Sequence, residues 1–152
     1  KLLNRTDILL INENELKLLF KDYYLEINEL KGSDNESTDV NNSLSFKDIA
    51  RIVINDGIET IVVKRGEKSV FAINQNEEVE VPAFKTDVVD TTAAGDSFNA
   101  GFLYSFLKGY SLHKSCLIGN WVASKCVENI CTVGLPDKSQ LEDFEKSIGI
   151  DI

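Results

Sequence analysis

Hydrophobic and polar positions alternate along the chain in patterns that predict both buried strands and amphipathic helices. Short segments with an apolar centre at residues 7–11 and 59–64 are typical of strands buried on both faces of a parallel sheet. Between these segments, apolar residues recur at helical spacing and predict two helices. Their apolar faces comprise Leu16, Leu19, Phe20, Tyr23, Ile27 and Leu30 in the first, and Phe46, Ile49, Ala50 and Val53 in the second.

A different pattern follows the second of these segments. Residues 69–73 and 78–82 alternate with period two and are joined by turn residues, which predicts a hairpin or small antiparallel extension. By contrast, residues 31–45 are rich in Asn, Ser and Asp. Because such a segment can bury little apolar surface, we expect a flexible insertion on the surface.

Helical spacing returns in the last third of the chain. The pattern predicts one helix with Phe98, Phe102, Leu103, Phe106, Leu107 and Tyr110, and a second from Leu112 to about Asn129 with Cys116, Ala123, Cys126, Val127 and Ile130 facing inward. Asp137 is expected to cap a terminal helix that runs through Ser147. The order of elements predicts an α/β layered domain with ligands at the carboxyl ends of its strands.

Three small residues, Ala93, Ala94 and Gly95, come just before the helical pattern that starts at Phe98. A helix start presents N–H groups without internal partners, and small side chains let an anion approach them. Asp96 follows directly and would repel a static anion. It would, however, suit a site in which a hydroxyl loses its proton while a phosphoryl group is transferred. A helix cap with tight packing explains the same residues equally well.

The segments that follow the two predicted buried strands each have a simple structural interpretation. Asn12 and Glu15 have the spacing of a helix capping box, in which each side chain bonds the backbone N–H of the other. Lys64, Arg65 and Gly66 end the second predicted strand, and on their own they indicate only an exposed basic turn.

Composition narrows the possible classes of protein. The formal net charge of −9 argues against a nucleic-acid partner, and no apolar run approaches the ~20 residues of a membrane helix. Cys116, Cys126 and Cys131 are odd in number and lack CxxC spacing, so we expect reduced core thiols of a cytoplasmic protein. The sequence begins with Lys1 and contains no Met, which suggests a fragment or a processed chain.

Val89-Asp-Thr-Thr-Ala-Ala-Gly-Asp-Ser-Phe-Asn-Ala-Gly101 resembles the signature of the ribokinase-like (pfkB) carbohydrate kinases. The resemblance implies a three-layer α/β/α fold, represented here by its C-terminal half, with a parallel sheet and a small antiparallel hairpin. It also implies an ATP-dependent sugar kinase in which Asp96 is the catalytic base and Ala93, Ala94 and Gly95 form the anion hole. The nearest resemblance is to 2-keto-3-deoxygluconate kinases, followed by ribokinases and fructokinases.

The same resemblance implies roles for further residues. Asn12 and Glu15 match a motif that helps hold Mg²⁺ through water, while Lys64, Arg65, Gly66 and Asn120 correspond to positions beside the nucleotide. Asn120 could equally be a polar residue on the wet side of a helix. Asp90 and Thr92 match positions that bind K⁺ in many members, although Asp90 could simply accept bonds from nearby N–H groups.

The resemblance extends over essentially all of residues 1–152, but the family's sugar-binding segments and its lid sheet are not among them. These residues therefore identify neither the sugar that is phosphorylated nor a homodimer formed through that lid. A non-catalytic module that binds a nucleotide or sugar phosphate, and a fragment inactive without the sugar-binding half, are the alternatives to a kinase.

Overall fold

The computed structural model describes residues 5–21 and 44–150. These residues form two compact units, one of residues 5–21, 44–65 and 71–78 and the other of residues 66–70 and 79–150. Most of the predicted insertion at 31–45, and the second half of the first predicted helix, lie outside the described residues.

The first unit is built on a parallel pair of strands. Strand β1 (Ile8–Asn12) pairs with strand β2 (Thr60–Lys64), and the register sets Asn12 opposite Lys64. Because parallel strands end at the same edge, the segments that follow these two residues begin side by side. The sequence pattern placed both strands within one residue of their observed bounds.

Two helices lie in the connection between these strands. Helix α1 begins at residue 13 and is described through residue 21, and helix α2 spans Phe46–Asn55. Ser45 caps α2 in a reciprocal box with Asp48, three residues further on. The helices cover an apolar core whose fully buried members include Leu16, Phe20, Ile49, Ala50, Val53, Ile58, Ile61, Val63 and Phe71.

Two further strands continue the sheet in the order β1-β2-β3-β4. Strand β3 (Ser69–Asn74) and strand β4 (Glu78–Pro82) each contribute residues to both units. The connections at 65–68 and 75–77 are too short for a parallel crossover, so these strands run antiparallel to their neighbours. The predicted antiparallel extension is therefore confirmed.

The second unit is dominated by three helices: α3 (Ala94–Leu107), α4 (Leu112–Val127) and α5 (Lys138–Ser147). The predicted cap of α5 is present, because Asp137 and Gln140 each bond the backbone N–H of the other. Phe144 of α5 packs parallel to Trp121 of α4, with ring centroids 4.4 Å apart. Together with Ile118, Val122 and Ile150, these rings attach α5 to α4.

Helices α3 and α4 approach each other closely because each carries a glycine at the contact. A Cβ atom on Gly101 would lie 2.9 Å from Cγ2 of Val122, and one on Gly119 would lie 2.8 Å from Cε2 of Phe98. Both distances are shorter than side chains tolerate, so any larger residue would push the helices apart. Since α3 carries the candidate anion site at its start, this contact fixes where that site lies within the unit.

Three residues predicted to face the interior are exposed instead. Leu107 is 79% exposed because it is the last residue of α3, and Ile130 is 67% exposed because α4 ends at Val127. Cys116 and Cys126 are buried thiols as expected, but Cys131 is exposed. It lies in the turn after α4 with a left-handed φ of 52°, so its side chain points away from the core.

We expect Gly101→Ala to lower the free energy of unfolding by about 1–3 kcal/mol, the usual cost of overpacking a tight contact. The added methyl group would collide with Val122, and helix propensity alone would favour alanine. Urea unfolding followed by circular dichroism measures the change. Ala100→Ser, an exposed substitution on the same helix, is the control. Equal stability of the two variants would contradict the close contact.

Candidate active site

The start of α3 leaves backbone N–H groups available for a ligand. Ala93 precedes the helix in the left-handed conformation (φ 63°, ψ 5°) and makes no side-chain cap. The N–H of Ala94 bonds the carbonyl of Thr91, and that of Ser97 bonds the carbonyl of Ala93. Among the described residues, no hydrogen bond uses the N–H of Gly95 or Asp96. Two unsatisfied N–H groups at a helix start attract an anion.

Asp96 lies on the exposed side of this helix start, beside a cavity of about 370 Å³. The cavity lies between α3 and the segment that joins α4 to α5. Its lining includes Ser97, Tyr104, Val122, Thr132 and Leu135. A carboxylate at the mouth of a partly apolar cavity, next to N–H groups that favour negative charge, can accept a proton from a hydroxyl placed there.

Asp90 fastens the loop before α3 to the turn after α4. Its Oδ1 accepts a hydrogen bond from the N–H of Thr92 at 2.9 Å, and its Oδ2 accepts one from the N–H of Cys131 at 3.0 Å. The bonds from Thr92, followed by the bond from Cys131, hold the pKa of the Asp90 carboxyl below its usual range. These contacts match the simpler role left open by the sequence, in which Asp90 accepts nearby backbone N–H groups.

The buried thiol of Cys126 lies where the loop before α3 meets the turn after α4. Sγ of Cys126 is 3.2 Å from the carbonyl oxygen of Cys131 and 3.6 Å from that of Thr92. The two carbonyl oxygens therefore converge on one point, and the loop and the turn are joined by a second contact. In the same region, the N–H groups of Val89 and Asp90 bond the last carbonyl of α4, at Val127.

In the first unit, Asn12 and Glu15 form the predicted capping box. The N–H of Glu15 donates to Oδ1 of Asn12 at 2.8 Å, and the N–H of Asn12 donates to Oε2 of Glu15 at 3.0 Å. Within the described part of the chain, no three His, Cys, Asp or Glu side chains gather into a direct metal-binding cluster. Mg²⁺ keeps several waters and needs few protein oxygens, so the role of Asn12 and Glu15 toward such an ion stays a prediction.

The strand-end residues Lys64 and Arg65 lie beside that capping box, because Lys64 is opposite Asn12 in the sheet. Arg65 does not extend into solvent: its Nε donates to Oε2 of Glu13 at 3.0 Å, and its guanidinium covers the ring of Phe46. Gly66, in the second unit, turns the chain with a left-handed φ of 61°. Arg65 is therefore not the exposed basic turn residue that the sequence indicated.

Asn120 is half-buried in the middle of α4 and contacts strand β4. Its Nδ2 donates to the carbonyl oxygens of Pro82 at 2.9 Å and Val81 at 3.3 Å. These contacts engage the amide nitrogen with two carbonyl oxygens and orient the amide plane. Asn120 is therefore not simply a solvent-facing polar residue of α4. Its contact with a nucleotide stays a prediction.

Three residues near these sites had no assigned role in the sequence. Glu13 lies between Asn12 and Glu15, and only those two residues had been given roles. A carboxylate four residues before a lysine indicates an ion pair along a helix. Glu13 forms this pair with Lys17 at 2.8 Å. Tyr104 was not among the apolar positions predicted for α3, and Cys126 was expected only as a core thiol. Only the packing of distant segments brings them to the cavity and to the Asp90 junction.

The fold is α/β, and the start of α3 presents two unbonded N–H groups next to the carboxylate of Asp96. Residues 1–137 match the family described as pfkB family carbohydrate kinase, and the chain belongs to this family. The family predicted from the signature is therefore confirmed. No helix in residues 5–21 and 44–150 has the length and apolar character needed to cross a bilayer.

Individual relatives agree with this assignment. An uncharacterised sugar kinase of Archaeoglobus fulgidus is 36% identical over 137 residues, covering 90% of this chain and 46% of that protein. A nucleoside kinase of Methanocaldococcus jannaschii is 40% identical over 81 residues, or 52% of this chain and 27% of that protein. The structure of Arabidopsis thaliana ribokinase complexed with ribose and ATP superposes with a TM-score of 0.71 at 26% identity, covering 95% of this chain and 42% of that one.

The chain thus spans less than half the length of each of these proteins. The superposition confirms the predicted ribokinase-like α/β fold for the part that is present.

Asp90→Asn is expected to destabilise the protein at neutral pH, because an amide directs a donor at one of the two N–H groups. The folded pKa of Asp90 lies below its ordinary value of 3.8, so the carboxylate contributes stability above that value. This contribution disappears as the pH falls through the folded pKa. Urea unfolding of parent and variant from pH 7 downward should show their difference narrowing below about pH 3.8.

Asp143→Asn changes an exposed carboxylate on α5 and serves as the control. A difference between parent and Asp90→Asn that stays constant over the whole pH range would contradict the role assigned to the carboxylate.

Proposed function

We propose that this chain is the ATP-binding and catalytic part of a kinase. The kinase transfers the γ-phosphoryl group of ATP to a hydroxyl of a small sugar or keto-deoxy sugar acid. The observation that carries the proposal is the pair of unbonded N–H groups at Gly95 and Asp96 beside the Asp96 carboxylate. Membership of a carbohydrate kinase family supports it.

In this mechanism Asp96 accepts the proton of the acceptor hydroxyl as its oxygen attacks the γ-phosphorus. The bond from that phosphorus to the oxygen bridging the β-phosphate breaks, and ADP leaves with the electron pair. Negative charge on the phosphoryl oxygens is held by the N–H groups of Gly95 and Asp96, which are fixed before the reaction begins. The N–H of Ala94 bonds the carbonyl of Thr91 instead, so Ala93 and Ala94 contribute the shape of the anion hole. Asn12 and Glu15 would hold a nucleotide-bound Mg²⁺ through water, and such an ion would supply positive charge against the phosphates.

Lys64, Arg65, Gly66 and Asn120 are proposed to contact the nucleotide. The amide of Asn120 is held by two carbonyls of β4, so its remaining oxygen points in a fixed direction. A fixed acceptor suits recognition of the exocyclic amino group of adenine, because no rotamer freedom is lost on binding.

Asp96→Asn should lower kcat of the intact enzyme by about 10²–10⁴, the usual range for a general base, and leave the affinity for ATP nearly unchanged. The substituted amide cannot take the proton but keeps the size of the side chain. Steady-state kinetics with a panel of sugars, and calorimetric titration with ATP, measure the two quantities. Asp143→Asn is again the control.

A loss of less than about threefold in kcat would remove Asp96 from the role of base. A parent protein that binds ATP but phosphorylates no sugar would favour the non-catalytic binding module instead. If only the 152-residue chain is inactive, the sugar-binding half is required.

A K⁺ ion held by Asp90 and the carbonyl of Thr92 is a further part of the proposal. The carbonyl oxygens of Thr92 and Cys131 both face Sγ of Cys126, and they are oxygens of the kind that would ligate K⁺ beside Asp90. Each of the two Asp90 carboxylate oxygens accepts one N–H. A carboxylate has about four lone-pair positions, so that of Asp90 can still face a cation.

Activity in K⁺ should exceed activity in a large organic cation at matched ionic strength, because only the smaller ion fits among these oxygens. Asp90→Asn should weaken the dependence on K⁺, and Asp143→Asn should not. Equal rates in both salts would exclude the ion, while leaving the proposed roles of Asp96 and the helix start unaffected.

A further inference from the structure

Glu13 lies between two cations at the edge where β1 and β2 end. Its Oε2 accepts a hydrogen bond from Nε of Arg65 at 3.0 Å, and its Oε1 accepts one from Nζ of Lys17 at 2.8 Å. The bonds from Lys17 and then from Arg65 lower the pKa of the Glu13 carboxyl, so it is ionised at neutral pH. Lys17 lies one turn further along α1, whereas Arg65 comes from another part of the chain.

The guanidinium of Arg65 is held on its face as well as at its edge. Its Cζ lies 4.3 Å from the centroid of the Phe46 ring, and that ring packs edge-on against Phe71 with centroids 5.6 Å apart. A planar guanidinium suits this position because it can stack on a ring and donate in its plane at the same time. The side chains of Arg65 and Glu13 are only 19% and 25% exposed, so water screens the pair less than an open surface pair.

These contacts join the two segments that carry the candidate metal and nucleotide residues. Glu13 is in the first turn of α1, between Asn12 and Glu15. Arg65 directly follows Lys64, which is opposite Asn12 in the parallel register. Phe46 begins α2 and adds a third element. Rotation of the α1 start relative to the end of β2 would have to break the ion pair or the ring contact.

We propose that Glu13, Arg65 and Phe46 form a clamp that fixes the orientation of the Asn12–Glu15 turn for Mg²⁺-bound nucleotide. The inference rests on the proposed kinase function. Arg65 is then a positioning residue, since its Nε and one face of its guanidinium are engaged with protein groups. Residues that orient such a site from outside commonly change metal affinity or activity by tenfold or more when replaced.

A second ion pair in the same unit provides a matched control. Arg51 of α2 donates from Nε and Nη2 to the carboxylate of Glu78 at 2.9–3.1 Å. It has the same chemistry and also joins a helix to a strand, but both side chains are exposed and neither belongs to the Asn12–Glu15 turn. Arg51→Gln therefore reproduces the loss of an Arg–Glu pair without loosening that turn.

The experiment compares Glu13→Gln, Arg65→Gln, their double variant, Arg65→Lys and Arg51→Gln. Calorimetric titration of the chain with ATP, with Mg²⁺ and with a chelator, gives the gain in affinity due to the metal. We expect Glu13→Gln and Arg65→Gln to reduce this gain about tenfold. The double variant should be no worse than either single one, because one interaction is removed in all three. Arg65→Lys should recover part of the gain, and Arg51→Gln should keep all of it.

Hydrogen exchange supplies a readout that does not depend on nucleotide. The N–H of Glu15, bonded to Oδ1 of Asn12, should exchange faster in the clamp variants than in Arg51→Gln. An unchanged metal-dependent gain, strictly additive losses, or unchanged exchange at Glu15 would each overturn the clamp. A parent chain that binds no ATP would count against the proposed function, and the exchange rates would still decide the inference.

Discussion

The N–H groups at the start of α3 can hold an anion only while the preceding loop is kept from satisfying them. This constraint explains the structure around them. The left-handed Ala93 turns the chain so that the Thr91 carbonyl reaches the N–H of Ala94 and leaves those of Gly95 and Asp96 unbonded. A left-handed alanine costs about 1 kcal/mol or more. Asp90 holds the loop in this shape by accepting two bonds, one from Thr92 within the loop and one from Cys131 in the turn after α4.

The backbone conformation of Ala93 carries a cost that glycine would not have. Glycine would adopt the left-handed conformation without strain. The methyl group does not cover the N–H groups, so the site is retained while the loop is strained. The compensation comes from contacts far along the chain, at Val127 and Cys131, and not from the signature itself.

Features that depend on neighbours within one helical turn could be predicted from the sequence. The boxes at Asn12 and Glu15, at Ser45 and Asp48, and at Asp137 and Gln140 are all present because each pair is fixed by its own spacing. Strand bounds were predicted closely for the same reason, since period and turn residues are local signals.

Features that depend on distant partners could not be predicted. Nothing near Asn120 in the sequence indicates that two carbonyls of β4 will orient its amide. Arg65 resembled an exposed basic residue because its partner, Glu13, is far away along the chain. Cys131 was wrongly expected in the core because the end of α4, which sets the direction of the following turn, carries no clear stop signal.

The capping box at Asn12 and Glu15 and the proposed water-mediated metal role do not compete. The box uses one oxygen of each side chain, and a carboxylate retains lone pairs for water molecules. A metal that keeps its own waters needs an acceptor in a fixed direction more than a direct bond. Freezing a free glutamate on binding would cost up to about 2 kcal/mol of rotamer entropy. The cap imposes that order when the chain folds, so the local structure would spare this cost in the proposed metal role of Glu15.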